Sequence, residues 1–188
     1  CEGPLSRDEL RIIGYLIADG ALSTKAAITF CNSDRRILDE FDARIERAFP
    51  TTKISRRVGA RNVCYHTVGN GRGNGGGASP LLRLLRALGL KHEIGSETGG
   101  PTSAHKFVPA EVFEGSDDDV AFFLASLWDC DGYVGERMAH YRTISRALAN
   151  DVQRLLQRLG MRSTITTAPV AGRAGRQETA FQVSVFDG

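Results

Sequence analysis

One pattern occurs twice in this chain. Ile12-Ile13-Gly14-Tyr15-Leu16-Ile17-Ala18-Asp19-Gly20 and Leu124-Ala125-Ser126-Leu127-Trp128-Asp129-Cys130-Asp131-Gly132 are both apolar stretches of helical spacing that end in an acid and a glycine. Each predicts a helix with a carboxylate at its C-terminal end, stopped by a glycine in a left-handed turn. Gly14 and Ala18 share one helical face, as do Ser126 and Cys130, so two such helices can approach closely along small residues. Ile13, Leu16, Ile17, Leu124, Leu127 and Trp128 supply bulk for a core on either side. Packed side by side, the helices bring Asp19 and Asp131 together. A carboxylate there opposes the helix dipole, whose C-terminal end is already negative. One copy is what any buried helix with an acidic end looks like. Two copies call for a compensating cation, and a divalent metal between them suits both.

The residues that follow each motif repeat as well. After the first come a strand-like run from residue 26 to Cys31, an amphipathic helix from Asp34 to Ala48 with Ile37, Leu38, Phe41 and Ile45 on one side, and strands over Thr51–Val58 and Asn62–Val68. After the second come a strand over Met138–Ile144, a helix over Leu148–Leu159 with Val152, Leu155 and Leu159, and strands over Arg162–Ala168 and Thr179–Phe186. Ser33 and Ser145 are candidate caps of the two helices. The acids Glu114, Asp117, Asp118 and Asp119 precede and cap the second motif helix, where negative charge complements the N-terminal dipole. Helix, strand, helix, strand, strand therefore occurs twice, an internal repeat.

Charge follows the same plan. The net charge is only +2, but residues 51–106 carry +7, residues 107–136 carry −8 and residues 137–176 carry +7. Two basic blocks flank an acidic centre containing Asp131, as a metal site inside a nucleic-acid surface needs. With 188 residues, 41% of them hydrophobic, the chain can bury a sizeable core. It shows no apolar run of membrane-spanning length and no signal-peptide pattern, and it is expected in the cytoplasm. Cys1, Cys31, Cys64 and Cys130 are widely and unevenly spaced, which predicts reduced structural thiols rather than a zinc site.

Gly14, Ala18, Asp19 and Gly20, with Leu124, Ala125, Leu127, Asp129, Asp131 and Gly132, resemble the LAGLIDADG homing endonucleases in their double-motif, intein-encoded form. Ile17 stands where that family often has an acid, and Ser126 and Cys130 occupy its small-residue positions. The resemblance implies a mixed α/β (α+β) fold. Its two pseudo-symmetric halves, about 8–110 and 117–188 of a single domain over 1–188, pack through the paired helices, with antiparallel sheets forming a DNA-binding saddle. It also implies catalytic Asp19 and Asp131 as ligands of Mg2+, with the backbone carbonyls of Ala18 and Cys130 as further oxygen ligands. The expected activity is hydrolysis of both strands at a long, specific DNA site by a monomer with an internal pseudo-twofold. The other reading is a cleavage-inactive DNA-binding module or regulator on the same fold; an RNA-splicing cofactor has no specific support.

Strand alternation indicates which residues face DNA. Phe181, Val183 and Val185 would pack on helices, leaving Gln182 and Ser184 toward the groove. Lys53, Ser55 and Arg57 form a similar row, as do Tyr65 and Thr67, with Arg142, Arg162, Thr164 and Thr166 in the second half. Arg and Gln read base edges, whereas Lys, Ser and Thr more often hold phosphates. Arg61 and Arg72 join this set in the first half, Arg72 from a polar glycine tract that fits a loop better than a dinucleotide-binding turn. In His105-Lys106-Phe107-Val108-Pro109, the Lys-x-x-Pro pattern resembles the segment that carries a catalytic lysine in intein nucleases, which assigns Lys106 to the attacked phosphate or the attacking water. No second such segment is visible before Gly188. Either Arg173, Arg176 or Gln177 substitutes for it in the second half, or the sequence continues in its parent. Cys1 and Thr102-Ser103-Ala104-His105 are not read as splicing residues.

Overall fold

The computed structural model describes residues 3–25, 27–59, 63–69, 78–93, 96–136, 138–172 and 177–186. The expectations for Arg61, Arg72, Arg173, Arg176 and the glycine tract lie outside the described residues. The two motif helices, α1 (Arg7–Asp19) and α5 (Asp117–Asp131), begin in the same way. Ser6 and Ser116 each accept from the backbone N–H three residues on, while Glu9 and Asp119 accept from the cap backbone in return. Asp117–Asp119 thus lie within the first turn of α5, where their charge complements the dipole as expected, but they do not precede the helix and its cap is Ser116. Glu114 instead ends a separate short helix, α4 (Ala110–Glu114).

The helices approach through the small-residue stripe. A Cβ on Gly14 would stand 2.5 Å from Ser126 Cβ, so this contact requires glycine. Ser126 is fully buried and donates to the Phe122 carbonyl at 3.3 Å. Gly14→Val is accordingly expected to force the pair apart and lower the melting temperature by roughly 3–10 °C, as overpacking of about 1–3 kcal/mol does in a chain of this size; thermal denaturation of the purified variant reads it directly.

The terminal glycines correct an expectation. Gly20 (φ −81°, ψ 141°) and Gly132 (φ −90°, ψ 158°) are extended, not left-handed. Their absent side chains serve a different need. The chain turns from helix into an extended segment so abruptly that a Cβ at Gly20 would lie 2.3 Å from the Leu16 carbonyl oxygen, and one at Gly132 would lie 2.5 Å from Trp128 Cα.

Each half adds a sheet backed by a helix. In the first, β1 (Ile28–Asn32), β2 (Ile54–Val58) and β3 (Cys64–Val68) are antiparallel in the order β1-β3-β2, with α2 (Arg35–Ala48) behind them. Its buried face of Leu38, Phe41 and Ile45 meets Phe30, which stacks between Phe41 (4.6 Å) and Tyr15 (5.5 Å). In the second, the order is β4 (Gly132–Val134), β5 (Met138–Thr143), β7 (Gln177–Phe186), β6 (Ser163–Ala171), backed by α6 (Arg146–Arg158). The cap of α2 is Asp34 rather than Ser33, while Ser145 caps α6 as expected. One apolar core runs through both halves. Between them lie α3 (Pro80–Ala87), a short 3-10 turn at Ser103–His105, and α4. Buried Lys91 follows α3 and donates to the Thr24 and Ala27 carbonyls at 2.6 and 3.0 Å, fixing the loop that leaves the first motif. Among the described residues no helix is long and apolar enough to cross a membrane.

Candidate active site and nucleic-acid interface

Both motif helices deliver their last residue to one open cleft of about 470 Å3, lined by Ala18, Asp19, Lys106, Asp131, Tyr141 and Arg142 among others. Asp19 is half-buried and accepts from Asn32 Nδ2 at 2.8 Å. Burial raises its carboxyl above the ordinary range, against the pull of that hydrogen bond and of the Lys106 charge. Asp131 is exposed as a residue, but the protein packed around its carboxyl partly desolvates it. That burial, with the like charge of Asp19 close by, pushes it up to about 6 against the opposing pull of Lys106. Lys106 is 7% exposed, and its Nζ donates to the Ala18 carbonyl at 2.7 Å. Burial lowers its pKa, while Asp131 and Asp19 oppose the change. The cation is anchored from behind: Ser145 Oγ, at the start of α6, donates to the Lys106 carbonyl at 2.5 Å. Residues from both halves therefore assemble one acid, acid, lysine cluster.

The raised carboxyl has a measurable consequence. The folded chain holds Asp131 protonated to higher pH than the unfolded chain does, so ionising it works against folding. The penalty is absent below about pH 4 and grows as pH rises through 6. Asp131→Asn is therefore expected to melt above the metal-free wild type at pH 7, with the difference vanishing by pH 4; paired melts across that range measure it.

The donors suit a hard divalent cation. Two carboxylates and the adjoining backbone carbonyls offer oxygen donors, and among the described residues no group of three or more His, Cys, Asp or Glu gathers to hold an ion unaided. Mg2+ commonly retains waters and binds through one or two carboxylates together with substrate phosphates, which this incomplete donor set matches. Lys106 occupies one lone pair of the Ala18 carbonyl, leaving the other. Asp129, the remaining acid of the second motif, is committed elsewhere. It accepts from Arg11 at 2.5 Å, and Arg11 also bonds Glu40 of α2 at 3.0 Å, tying α1, α2 and α5 together. Burial alone would raise Glu40, but hydrogen bonds from Arg11, Tyr15 and Arg44 hold it at about 2.

Asn32 was missed in the sequence, although it lies against Asp19. It ends β1, and its Oδ1 accepts from the Asp34 N–H at 2.8 Å. The polar run Asn32-Ser33-Asp34 before a helix was the available signal. Thr143 at the end of β5 is its counterpart, accepting from the Ser145 N–H at 3.1 Å.

The strand registers place the expected polar rows on common faces. Ser55 and Thr67 are cross-strand partners, as are Arg57 and Tyr65, and the Arg57 guanidinium lies 5.2 Å from the Tyr65 ring centroid. Lys53 precedes β2 on the same alternation and is exposed. In the second sheet Arg142 pairs with Gln182, and Gln182 with Thr166. Thr164 pairs with Ser184, and Arg162 lies just before β6, exposed. Ser184 is the exception. It lies on the expected face but is only 5% exposed, covered where β5, β7 and β6 run side by side, and it accepts from Gln182 Nε2 at 3.3 Å. Gln177 is exposed at the start of β7, where it pairs with Ala171 of β6.

A family model described as a LAGLIDADG-like domain matches residues 118–187, from the first turn of α5 through β7. The chain is 29% identical over 178 residues to the replicative DNA helicase DnaB of Synechocystis sp., covering 90% of this chain and 19% of the helicase. It is 28% identical over 162 residues to the replication factor C small subunit of Thermococcus kodakarensis (86% and 16% covered) and 27% identical over 183 residues to RecA of Mycobacterium tuberculosis (86% and 20% covered). It thus spans about a fifth, or less, of the length of these relatives. Among solved structures, variants of the homing endonuclease I-DmoI superpose with a TM-score of 0.62 at 14% identity, covering 95% of this chain and 88% of theirs. Full-length DUF199/WhiA from Thermatoga maritima superposes with a TM-score of 0.51 at 12% identity, covering 97% of this chain and 52% of its own. I-DmoI structures include complexes with DNA and Mn and with DNA and Ca. The chain has the single-chain, double-motif LAGLIDADG fold.

Proposed function

We propose that this chain is a sequence-specific double-strand DNA endonuclease, the homing-endonuclease domain of an intein. One observation carries the reading: Asp19 and Asp131, delivered by two repeated helices, meet beside buried Lys106 in a cleft lined by the second sheet, with Asn32 at the end of the first sheet's β1 bonded to Asp19. A module inserted into different hosts also explains why a helicase, a clamp-loader subunit and RecA each match over about a fifth or less of their length.

A bound Mg2+ would polarise a phosphodiester and lower the pKa of a water. Asp19 and Asp131 would hold it, with the Ala18 and Cys130 carbonyls beside them. Lys106 places a cation against the same cleft, where it offsets charge on the attacked phosphate or takes part in proton transfer from the water. Ser55, Arg57, Tyr65 and Thr67 on one sheet, with Arg142, Gln182 and Thr166 on the other, contact the two halves of the DNA site. Binding through arginine releases phosphate counterions and weakens as salt rises.

The fold is shared by DUF199/WhiA as well as I-DmoI, so it does not by itself decide for cleavage, and the second reading is a DNA-binding module that does not cut. Incubation with a randomised plasmid library separates the two. The endonuclease reading expects Mg2+-dependent linearisation of plasmids that share one long motif. Selective binding of a motif without linearisation would favour the second.

A further inference from the structure

The second sheet carries on its polar face a ring pair that the first sheet lacks. β4 leaves the second motif directly, so Tyr133 stands two residues beyond Asp131 and pairs across the ladder with His140 of β5. The two rings stack, with centroids 5.0 Å apart and planes inclined by 27°. Tyr133 is 56% exposed. Alternation along β5 puts His140 on the face of Arg142, and its neighbour across the next ladder is Ser184, which in turn pairs with Thr164. A row of Tyr133, His140, Ser184 and Thr164 thus crosses the sheet beside the row of Arg142, Gln182 and Thr166.

The first half is built differently at the corresponding place. Ala21 follows Gly20 as Tyr133 follows Gly132, and its N–H donates to the Thr29 carbonyl at 2.8 Å. Thr29 is itself committed to Thr67, hydroxyl to hydroxyl at 3.2 Å. Ser184 in the second half is likewise bonded, to Gln182. His140 is not: its Nδ1 is closed off from solvent and has no hydrogen-bond partner among the described residues. Buried polar atoms are normally satisfied, so an Nδ1 that no bond holds is unusual and leaves the ring's other nitrogen as its means of recognition. A neutral imidazole has one donor and one acceptor nitrogen. A bare buried acceptor is the less costly orphan, which puts the proton on Nε2 and makes the ring a donor.

We propose that Tyr133 and His140 form a base-reading pair for the Asp131 half of the DNA site. This rests on the reading of the chain as a DNA-recognising protein. The His140 Nε2–H donates to N7 of a purine in the major groove, where purines present that acceptor and strands of a sheet can enter. The Tyr133 ring holds the imidazole in position. Among the described residues the first half has no equivalent reader, so the two half-sites differ in what they demand at this position.

The test is selection from a randomised double-stranded DNA library in EDTA, so that binding is read without cleavage. Wild type, His140→Ala, His140→Gln, Tyr133→Phe and Tyr133→Ala are each selected, and the bound pools are sequenced. The wild type is expected to prefer a purine at one position in one half-site. His140→Ala loses that preference alone, His140→Gln keeps part of it, Tyr133→Phe keeps it, and Tyr133→Ala weakens it. Placing 7-deazaguanine there removes N7 and should weaken wild-type binding roughly five- to tenfold, the effect of one lost hydrogen bond, while leaving His140→Ala binding unchanged. The same motif in wild type and His140→Ala, or equal sensitivity of both to 7-deazaguanine, overturns the proposal. So does a loss spread evenly over both half-sites, the mark of a structural role. Failure of the wild type to select any motif would instead sink the DNA-recognition reading beneath it.

Discussion

Asp19→Asn and Asp131→Asn are each expected to lower cleavage by roughly 10^3-fold or more while DNA binding stays the same or tightens slightly. The magnitude follows from chemistry: metal coordination supplies several kcal/mol of transition-state stabilisation, and each 1.36 kcal/mol is tenfold in rate. The direction of the binding change follows from charge, because both carboxylates line the cleft proposed to receive phosphates, and neutralising one removes a repulsion. The amide is nearly isosteric with the acid, so helix packing is unaffected. At Asp19 an amide oxygen can still accept from Asn32. Single-turnover cleavage and a gel-shift titration on a selected DNA separate the two effects. Equal loss of binding and cleavage would mean that the acids shape the cleft rather than act in it.

Lys106→Met is expected to reduce cleavage by about 10^2- to 10^4-fold, the usual contribution of a positioned acid–base group. The substitution also changes the acids. Lys106 now pulls Asp131 down against burial and Asp19, so its removal should move the titration of Asp131 above 6 and demand more Mg2+ or a higher pH for whatever activity remains. Mg2+ titrations at pH 6 and pH 8 read this shift. A variant with full activity and an unchanged metal requirement would remove Lys106 from the chemistry.

How legible the site was depended on what kind of signal each part leaves. The paired helices were readable because a small residue every fourth position, followed by an acid and a glycine, leaves few ways to pack, and Gly14 against Ser126 realises one of them. The backing helices were readable from helical periodicity, and β2, β3, β5, β6 and β7 from alternation. The glycines were correctly placed but given the wrong reason. A C-terminal glycine usually signals a left-handed residue, and only coordinates show that Leu16 and Trp128 crowd the space instead. β4 escaped notice because three residues are too few for a period to register. The burial of Ser184 and the partnership of Asn32 with Asp19 arise from strand order in space, which sequence spacing does not encode. Lys106 was picked out by its Lys-x-x-Pro setting, but its hydrogen bond to the Ala18 carbonyl spans 88 residues and needed the fold.

The central claim is that Asp19 and Asp131 share responsibility for a divalent metal when DNA fills the cleft. The most direct measurement is the anomalous scattering of Mn2+ in crystals of this chain bound to a DNA duplex recovered by selection. The account predicts a peak within coordination distance of both carboxylates and of a phosphate oxygen, lost in the Asp19→Asn, Asp131→Asn double variant. A peak that persists in the double variant, or one held by other residues while DNA is cut, would contradict it.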